Sequence, residues 1–597
     1  MTDARRILSR RDLDFLINEW LKVDELTARP RFAEHSGQTF AAALDLAEHL
    51  AMRYFAPHNA LADRTEPTFD GQRVHMVPEI GRALTAFAES GLLSAAMDAE
   101  IGGGQLPHTV HRACFAWLQA ANISTASYAM LTMANANLLR TYGSQEQIDR
   151  YVLPMLEGRY TGTMCLSEPQ AGSSLADVQT RAEPGGDGRY RVFGSKMWIS
   201  GGDHELAENI VHLVLARAAG SPAGVKGLSL FLVPKFLAPE GGGPPVRNDV
   251  ALIGVNHKMG YRGTVNTVLD FGSGTFLPDE APGAIGYLVG QLDRGLAAMF
   301  HMMNEARIAV GAGAAALGYT GYLHALDYAR TRLQGRTSDA RDPSAPQVPI
   351  ITHPDVRRML LAAKSYAEGG LALTLFAARL LDEQASAQDQ QQARESSLLL
   401  DVLTPIVKSW PSQWCLAAND IAIQIHGGYG YTREFPVEQF YRDNRLNPIH
   451  EGTTGIQAID LLGRKVRLDN GAGFALLIKR ITDTAAAAPA GWRTEATQLS
   501  SAARRLSEVT AMLWRGGASA VVLANASVYL EAAGHVVVAW IWLQQAIATQ
   551  ERTGSFYEGK RAATRYFFRY ELPRVGPQLD LLATRDTMLL DLDDHCL

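Results

Sequence analysis

The 597-residue chain has few cysteines and no long run of charge of one sign. Its four cysteines, Cys114, Cys165, Cys415 and Cys596, lie far apart and form no CxxC pair, which argues against a disulfide framework and a zinc site. We therefore expect no metal and a reducing, cytoplasmic location. The formal net charge is −6 and Lys and Arg form no cluster, so neither nucleic acid nor a membrane surface is an expected partner.

The sequence also has no pattern typical of a signal peptide or of a membrane-spanning helix. The N-terminal residues, MTDARRILSRRDLDF, contain no apolar core of the kind that a signal peptide needs. The most hydrophobic late segment, 521–543, is interrupted by Asn525, Ser527, Glu531 and His535. We expect no integral membrane segment.

The chain contains no G-x-G-x-x-G, so a dinucleotide site of the Rossmann type is not expected. One segment, GSFYEGK at 554–560, has glycines and a lysine in the manner of a phosphate-binding loop. Arg561 follows it where such a loop has Ser or Thr, and no predicted strand precedes it. We predict that this segment does not bind phosphate.

The sequence contains four stretches of different pattern. Residues 1–159 have apolar side chains at helical spacing, and 160–284 contain short β-rich runs between Gly, Pro and Asp turns. A helical period returns near Gly286 and continues through 285–466, while 467–597 are Ala-rich and helical. The predicted fold class is α+β and multidomain: an N-terminal helical domain, a central antiparallel β-domain, a helical bundle and an appended C-terminal helical domain. The predicted strands are 161–166, 189–193, 197–200, 210–216, 228–233 and 265–271.

One carboxylate stands out in the segment NPIHEGTTGIQAIDLLGRK at 447–465. Glu451 lies beside Gly452 and directly before an apolar helical pattern. A carboxylate on a loop that opens a helix, next to a glycine that lets a ligand approach the backbone, is suited to a general base. Acidic residues and Thr caps are also common at ordinary helix N-termini, so the segment alone leaves both interpretations open.

Two further segments have polar groups and a large ring where a ligand could bind. In GTMCLSEPQAGSS at 162–174, Ser167, Gly172 and Ser173 could donate hydrogen bonds to a phosphate or to the edge of a polar ring. A simple Ser/Gly turn is the alternative. In KMWISGG at 196–202, the ring of Trp198 could stack on a flat cofactor.

Together these segments resemble the acyl-CoA dehydrogenase family. CLSEPQAGS at 165–173 is similar to its C-[VL]-[ST]-E-P-x-A-G-S signature, and KMWIS at 196–200 to its K-x-W-I-[ST]. Other family segments are matched, in family order, by EIGG at 100–103, KMGYRG at 258–263, QIHGGYG at 424–430 and EGT at 451–453. The resemblance extends from about residue 12 to residue 464.

The resemblance implies an FAD-dependent enzyme that removes two hydrogens from an acyl-CoA thioester and produces a trans-2-enoyl-CoA, as in fatty acid β-oxidation. Glu451 would take the Cα proton while flavin N5 accepts the Cβ hydride, and the Glu451 backbone N–H together with the FAD ribityl hydroxyl would stabilise the enolate charge. Some relatives carry the base at the position matched by Ala306, which is not acidic here. Glu451 is therefore the expected base.

The resemblance also assigns binding residues. The FAD contacts that it implies are Cys165, Ser167, Gly172, Ser173, Trp198, Ser200, Arg332, Gln334, Gln424, Gly427, Gly428 and Thr453. In the family, the residues matched at 332–334 and 424–428 hold the FAD pyrophosphate and adenine at a dimer contact. The acyl-CoA contacts that it implies are Ser173, Asn304, Arg307, His450 and Gly452. A helix–helix anchor is the alternative role for Arg307. His450 replaces the Tyr that usually precedes the base, which leaves the substrate preference open.

Two features distinguish the chain from shorter members of the family: a polar insertion after Gln334 and the additional domain at 467–597. Both resemble the longer bacterial members, including the 3-methylmercaptopropionyl-CoA dehydrogenase type. In those the added helices cover a face that shorter members use for tetramer assembly, so a homodimer is expected. The implied electron acceptor is an electron-transferring flavoprotein. The alternatives are an acyl-CoA oxidase, which passes electrons to oxygen, and a non-catalytic helical interaction protein.

Overall fold

The computed structural model describes residues 4–238, 243–337, 342, 344–516 and 518–597. These residues form two compact units. The first unit is built from Ala41–Leu106 and Trp117–Ala306, and the second from 4–40, Pro107–Ala116 and Arg307–Leu597. The four domain boundaries inferred from the sequence pattern remain predictions.

The N-terminal part of the chain is helical. Its α-helices are α1 Arg10–Asp14, α2 Gly37–Leu50, α3 Asn59–Arg64, α4 Pro78–Glu89, α5 His108–Ala121, α6 Ile123–Tyr142, α7 Gln145–Gln147 and α8 Leu153–Leu156, and the short strands β1 Thr68–Phe69 and β2 Val74–His75 form a hairpin between α3 and α4. Helix α6 begins where the Asn122 side chain accepts a hydrogen bond from the Thr125 N–H at 3.1 Å, because that contact satisfies a free N–H of the first turn.

An eight-stranded sheet forms the centre of the first unit. The strands that follow in the chain are β3 Tyr160–Cys165, β4 Arg181–Pro184, β5 Arg189–Ser200, β6 Asn209–Ala218, β7 Leu228–Pro234, β8 Phe236–Leu237, β9 Val246–Arg247, β10 Val250–Val255, β11 Asn266–Phe271 and β12 Ala284–Val289. The sheet order is β10-β11-β5-β12-β7-β6-β3, with β4 beside β5 and β6, while β8 and β9 form a separate ribbon.

The pairing corrects one detail of the prediction. Most neighbouring strands are antiparallel, but β3 and β4 each pair in parallel with β6, so the sheet is mixed. The parallel pairing arises because the chain leaves β3, passes through the β4–β5 hairpin and returns to β6 in the direction of β3. Strand pairing between distant segments of this kind has no signal in a local pattern.

Strand β12 lies where the helical period was expected to resume. The run AIGYLV at Ala284–Val289 is a strand, and the next helix begins only at Gly295. A short apolar run can belong to a buried strand or to a buried helix, and period alone does not separate the two.

Both faces of the sheet are apolar because residues alternate in direction along each strand. On one face, Leu213 of β6 lies in a cluster with Leu139 of α6 and with Met299. On the other face, the next residue, Val214, lies in a cluster with Phe231 of β7. The central strands β6 and β7 are therefore buried from both sides.

The second unit is a helical bundle, as predicted. The helices that follow the sheet are α9 Gly295–Thr331, α10 Pro354–Ala385, α11 Gln390–His426, α12 Val437–Asn444, α13 Thr454–Ile459, α14 Leu468–Ala486, α15 Arg493–Leu513, α16 Ser519–Leu523, α17 Ala526–Ala548, α18 Ser555–Tyr566, α19 Val575–Thr584 and α20 Met588–Asp591. Helix α17 has the length and composition of a membrane span, but 83% of its most apolar window is buried inside the protein. It is the core helix of the C-terminal part.

A buried cluster of charged side chains connects three segments of the second unit. Lys560 of α18 forms ion pairs with Asp12 of α1 and, at 2.9 Å, with Glu368 of α10. These three residues are at most 2% exposed. The Tyr319 hydroxyl also donates to Asp12, at 3.0 Å. Lys560 is the lysine of the segment that is similar to a phosphate loop, and its ammonium is engaged inside the protein.

We expect the substitution Lys560→Met to lower the free energy of unfolding by about 3–5 kcal/mol, because it leaves the buried Asp12 carboxylate without its cation and leaves Glu368 paired with Lys364 alone. Denaturant unfolding followed by circular dichroism would measure the loss. The matched control is Lys479→Met, which removes an exposed ion pair with Asp483 on α14 and should cost less than about 1 kcal/mol. Equal losses in the two variants would show that the buried cluster does not contribute in this way.

Candidate active site

Glu451 lies on the loop between α12 and α13. Its backbone is left-handed, with φ 53°, a conformation that is costly for a residue other than glycine and that occurs frequently at functional sites. Gly452 follows with φ 86°, and Thr453 accepts a hydrogen bond from the Ile456 N–H at 3.3 Å, so that α13 begins directly behind the carboxylate. The half-buried Glu451 side chain is thus presented by a strained loop at a helix start.

Two side chains that the sequence analysis did not identify hold this loop. Lys408 of α11 donates to the carbonyl oxygens of Asn447 and Gly452, both at 2.7 Å. Gln457 of α13 donates to the carbonyl oxygens of Glu451 at 3.1 Å and Gly452 at 3.4 Å. The only local signal was a lysine within the apolar segment LTPIVKSW of a helix.

His450 is held by a chain of buried amides. Its Nε2 lies 3.1 Å from Asn447 Oδ1, Asn447 donates to Asn444 Oδ1 at 2.8 Å, and Asn444 donates to Asn419 Oδ1 at 2.7 Å. Because Asn447 Oδ1 is an acceptor, the hydrogen bond places the proton on His450 Nε2. Burial, assisted by the charge of Lys408, lowers the pKa of His450 to about 3, so the ring is neutral near pH 7.

The charges around Glu451 set its protonation. Burial raises the pKa of Glu451 to about 7, although the cations Lys408 and Arg307 oppose the rise. Burial likewise lowers the pKa of Lys408 to about 7, against the attraction of Glu451. Arg307 is 2% exposed and its Nη1 pairs with Asp460 Oδ2 at 2.8 Å. This pair connects α9 to the helical segment behind α13, which matches the anchoring role considered for Arg307.

A second group of predicted residues lies at the end of β5 in the first unit. The predicted strands 189–193 and 197–200 are one strand, interrupted by a β-bulge in which Met197 and Trp198 together oppose Val268 of β11. Trp198 has φ 67° and is 59% exposed. A large aromatic ring held outward by a strained backbone is typical of a binding surface.

A buried ion pair joins the two signature segments. Lys196 donates to Glu168 Oε1 at 2.9 Å and to the Leu166 carbonyl at 3.0 Å. Glu168 also accepts from the N–H groups of Gln179 and Thr180 at 2.8 and 3.0 Å. Burial raises the pKa of Glu168, but Lys196 and these donors prevail and hold it at about 2. Sequence reasoning missed both charged residues, although each stands inside a motif that it used.

The serine loop is thereby fixed beside β5, and the Met197 N–H donates to the Ser167 carbonyl at 3.0 Å. Gly172 and Ser173 are exposed, and Ser167 and Ser200 are half-buried. The Cys165 side chain is fully buried in β3, and burial raises the pKa of its thiol to about 12, so that the thiol is neutral.

A third group lines a pocket of about 460 Å³ in the second unit. Arg332, Gln334, Gly427 and Gly428 all contribute to its wall, together with Tyr429, whose ring lies 5.6 Å from the Arg332 guanidinium carbon. Gly427 has φ 61°, and a Cβ at either glycine would meet no atom within 4 Å, so a ligand can approach the backbone. An arginine beside an aromatic ring and open backbone fits an anionic group attached to a flat ring.

The other predicted residues lie outside these contacts. Gln424 is exposed on the last turn of α11 and does not line the pocket. Asn304 is half-buried on α9, and Ala306, the alternative base position, is buried and apolar.

Comparison with known proteins identifies the class. Family models of the acyl-CoA dehydrogenase N-terminal domain match residues 40–159, of the middle domain 163–271 and of the C-terminal domain 293–466. A fourth model, described as acetyl-CoA dehydrogenase C-terminal like, matches 477–593. The chain belongs to the acyl-CoA dehydrogenase family. It is an FAD-dependent oxidoreductase that acts on an acyl-CoA, which confirms the predicted enzyme class and cofactor.

Individual relatives agree over most of the chain. A 3-methylmercaptopropionyl-CoA dehydrogenase of Ruegeria pomeroyi is 39% identical over 77% of this chain and 76% of the relative. FadE5 of Mycobacterium tuberculosis, a broad-specificity linear acyl-CoA dehydrogenase, is 34% identical over 98% of both chains. The crystal structure of an acyl-CoA dehydrogenase from Bacillus anthracis, complexed with FAD, shares the fold with TM-score 0.75 at 18% identity, and the match covers 97% of this chain and 93% of that one.

The raised pKa of Glu451 makes stability depend on pH. The folded state holds the Glu451 proton more tightly than the unfolded chain does, so this residue lowers stability as pH rises from about 4.5 to about 7. Glu451→Gln cannot ionise. We therefore expect it to be more stable than the wild type at pH 8 by up to about 3 kcal/mol, and at pH 5 by less than about 1 kcal/mol.

Thermal unfolding of the two proteins at pH 5 and pH 8 would measure the difference. Glu89→Gln, at an exposed glutamate at the end of α4, is the control and should show no such pH-dependent gain. A Glu451→Gln variant that gains nothing at pH 8 would contradict the raised pKa.

Proposed function

We propose that Glu451 is the base that takes the Cα proton of an acyl-CoA thioester, so that the enzyme forms a trans-2-enoyl-CoA. This proposal rests on the environment of the Glu451 carboxylate. Among the residues that the structure describes, no side chain forms an ion pair or a hydrogen bond with the Glu451 carboxylate. Glu168, by contrast, has all of its carboxylate capacity engaged. A carboxylate that is unpaired and has a pKa of about 7 can accept a proton at neutral pH.

The backbone beside Glu451 supports the same reaction. The proton on Cα is weakly acidic, so charge that develops on the thioester oxygen needs a donor. Within the described part of the chain, no backbone carbonyl accepts from the Glu451 N–H, which leaves this N–H available to the thioester oxygen. The left-handed loop thus supplies both a base and a donor from one residue.

The residues that would hold FAD fall into two groups. The pocket that contains Arg332, Gln334, Gly427 and Gly428 is proposed to hold the pyrophosphate and adenine. Gln424, exposed on the last turn of α11, is proposed as a further contact outside the pocket. The residues proposed for the flavin are Ser167, Gly172, Ser173, Trp198, Ser200 and Thr453. Cys165 is fully buried in the sheet core and is not exposed to a ligand. When bound, FAD supplies the acceptor for the hydride that leaves Cβ.

The substrate is proposed to be a linear acyl-CoA or one with a thioether in its chain, because the relatives at 34% and 39% identity carry those names. The proposed contacts are Ser173, Asn304, His450 and Gly452, whereas the buried Arg307, paired with Asp460, is proposed as an anchor between helices. A neutral His450 places no charge beside the acyl chain, which suits an uncharged acyl group. The pathway is proposed to be of the β-oxidation type, in the cytoplasm, with an electron-transferring flavoprotein as acceptor.

Addition of a panel of acyl-CoAs to the FAD-loaded enzyme without oxygen would test the reaction. Bleaching of the oxidised flavin band is expected for some chain lengths, and Glu451→Gln should slow it by about 10²–10⁴-fold with FAD still bound. The wild-type rate should rise with pH around pH 7, since only the ionised carboxylate accepts a proton.

Glu89→Gln should bleach as the wild type does. A protein that cannot be loaded with FAD, or a Glu451→Gln variant of normal rate, would contradict the proposed function. Release of hydrogen peroxide during turnover in air would instead identify an oxidase that uses the same base.

A homodimer is proposed as well, because the pocket around Arg332 and Gly427 is open at the surface and suits completion by a second chain. Static light scattering should give twice the mass of one chain, at all concentrations at which FAD stays bound. The mass of four chains would contradict the proposal, and so would a monomer that retains FAD.

A further inference from the structure

Lys408 is a buried cation whose partners are not acidic. It is 0% exposed on α11, where an uncompensated ammonium would be costly. No carboxylate of the described residues forms an ion pair with it. Its hydrogen bonds go instead to the carbonyl oxygens of Asn447 and Gly452, both at 2.7 Å, one on each side of Glu451 in the chain. Both hydrogen bonds that the structure shows for the Lys408 ammonium thus go to one loop.

The loop needs such support because its backbone is strained. Glu451 has φ 53°, and a residue with a Cβ remains in this region only when its surroundings hold it there. Gln457 adds two donations, to the carbonyls of Glu451 and Gly452. The fit is close, since a Cβ at Gly452 would lie 2.4 Å from Gln457 Nε2. Lys408 and Gln457 thus hold the carbonyls of Asn447, Glu451 and Gly452 around the carboxylate.

Lys408 also contributes a charge. The ionisable groups that face it are Glu451, His450 and Arg307. Arg307 is already paired with Asp460 at 2.8 Å, so its charge is partly neutralised. Lys408 is therefore the cation whose field reaches Glu451 without a neutralising carboxylate of its own.

We propose that Lys408 is a positioning residue for the base. Its ammonium holds the left-handed loop through the Asn447 and Gly452 carbonyls, and its charge favours the ionised form of Glu451. This inference rests on the proposed function of Glu451. Lys408 thus has two roles. It fixes the geometry of the loop, as Gln457 also does, and it supplies a charge, which Gln457 lacks.

The test uses the FAD-loaded full-length protein without acyl-CoA. Difference infrared spectra over a pH series would follow the C=O stretch of the protonated Glu451 carboxyl, with Glu451→Gln as the blank. Lys408→Met should raise the pH midpoint of this band by about one unit or more, because it removes a cation that favours the ionised form. Gln457→Met removes donors but no charge and should leave the midpoint near that of the wild type.

The matched control is Lys465→Met, which also removes a buried ammonium but one that pairs with Asp401. It should lower stability without moving the Glu451 midpoint. If Lys408→Met does not fold, Lys408→Gln replaces it; this variant is also neutral, and the same upward shift is expected.

Flavin reduction by an acyl-CoA then gives an independent readout. The pH–rate curve of the Lys408 variants should move to higher pH by the same amount as the infrared midpoint, and Gln457→Met should lower the rate without that shift. An unchanged midpoint in both neutral Lys408 variants would overturn the proposal and leave Lys408 with a structural role. If no acyl-CoA reduces the flavin of the wild type, the proposed function fails. The infrared midpoints still show whether the charge of Lys408 acts on the Glu451 carboxyl.

Discussion

A buried ammonium needs hydrogen-bond acceptors, and in this protein the acceptors of Lys408 belong to the loop that carries Glu451. Lys408 is fully buried and its acceptors are two backbone carbonyls. A carbonyl can serve a buried cation only if its peptide plane is turned towards it. The two carbonyls that Lys408 holds lie before and after Glu451 in the chain, and Glu451 itself is left-handed, a conformation that persists only where the surroundings hold it.

Buried charges fix the other parts of the molecule in the same way. Lys196 and Glu168 join a strand to a serine loop, and Lys560 joins α18 to α1 and α10. Each pair has lost its water, so each is stabilising only while both partners are present and correctly placed. The charged residues inside the signature segments therefore act on geometry, and the neighbouring Ser, Gly and Trp residues remain available to ligands.

The sequence predicted the order of helical and β-rich regions because those depend on local spacing of apolar residues. It failed at β12, where a run of six residues has no decisive period, and at β3 and β6, whose parallel pairing depends on distant parts of the chain. Glu451 could be proposed as the base because the segments around it match family signatures, whereas its own local pattern left both interpretations open. Lys408 and Gln457 could not, since their role exists only after α11 and α13 have packed beside the loop. The bulge at Trp198 had no signal, because a backbone angle of this kind is set by the partner strand.

The second unit is discontinuous in the chain, and this has a consequence for synthesis. Its parts come from 4–40, Pro107–Ala116 and Arg307–Leu597. Asp12 precedes its partner Lys560 by more than 500 residues in the chain, so it leaves the ribosome long before Lys560 does. Until then the early segment carries a carboxylate and an apolar helix face with no place to dock. Formation of this contact must therefore wait until α18 has been synthesised, and contacts between such distant segments slow folding and prolong the exposure of apolar surface.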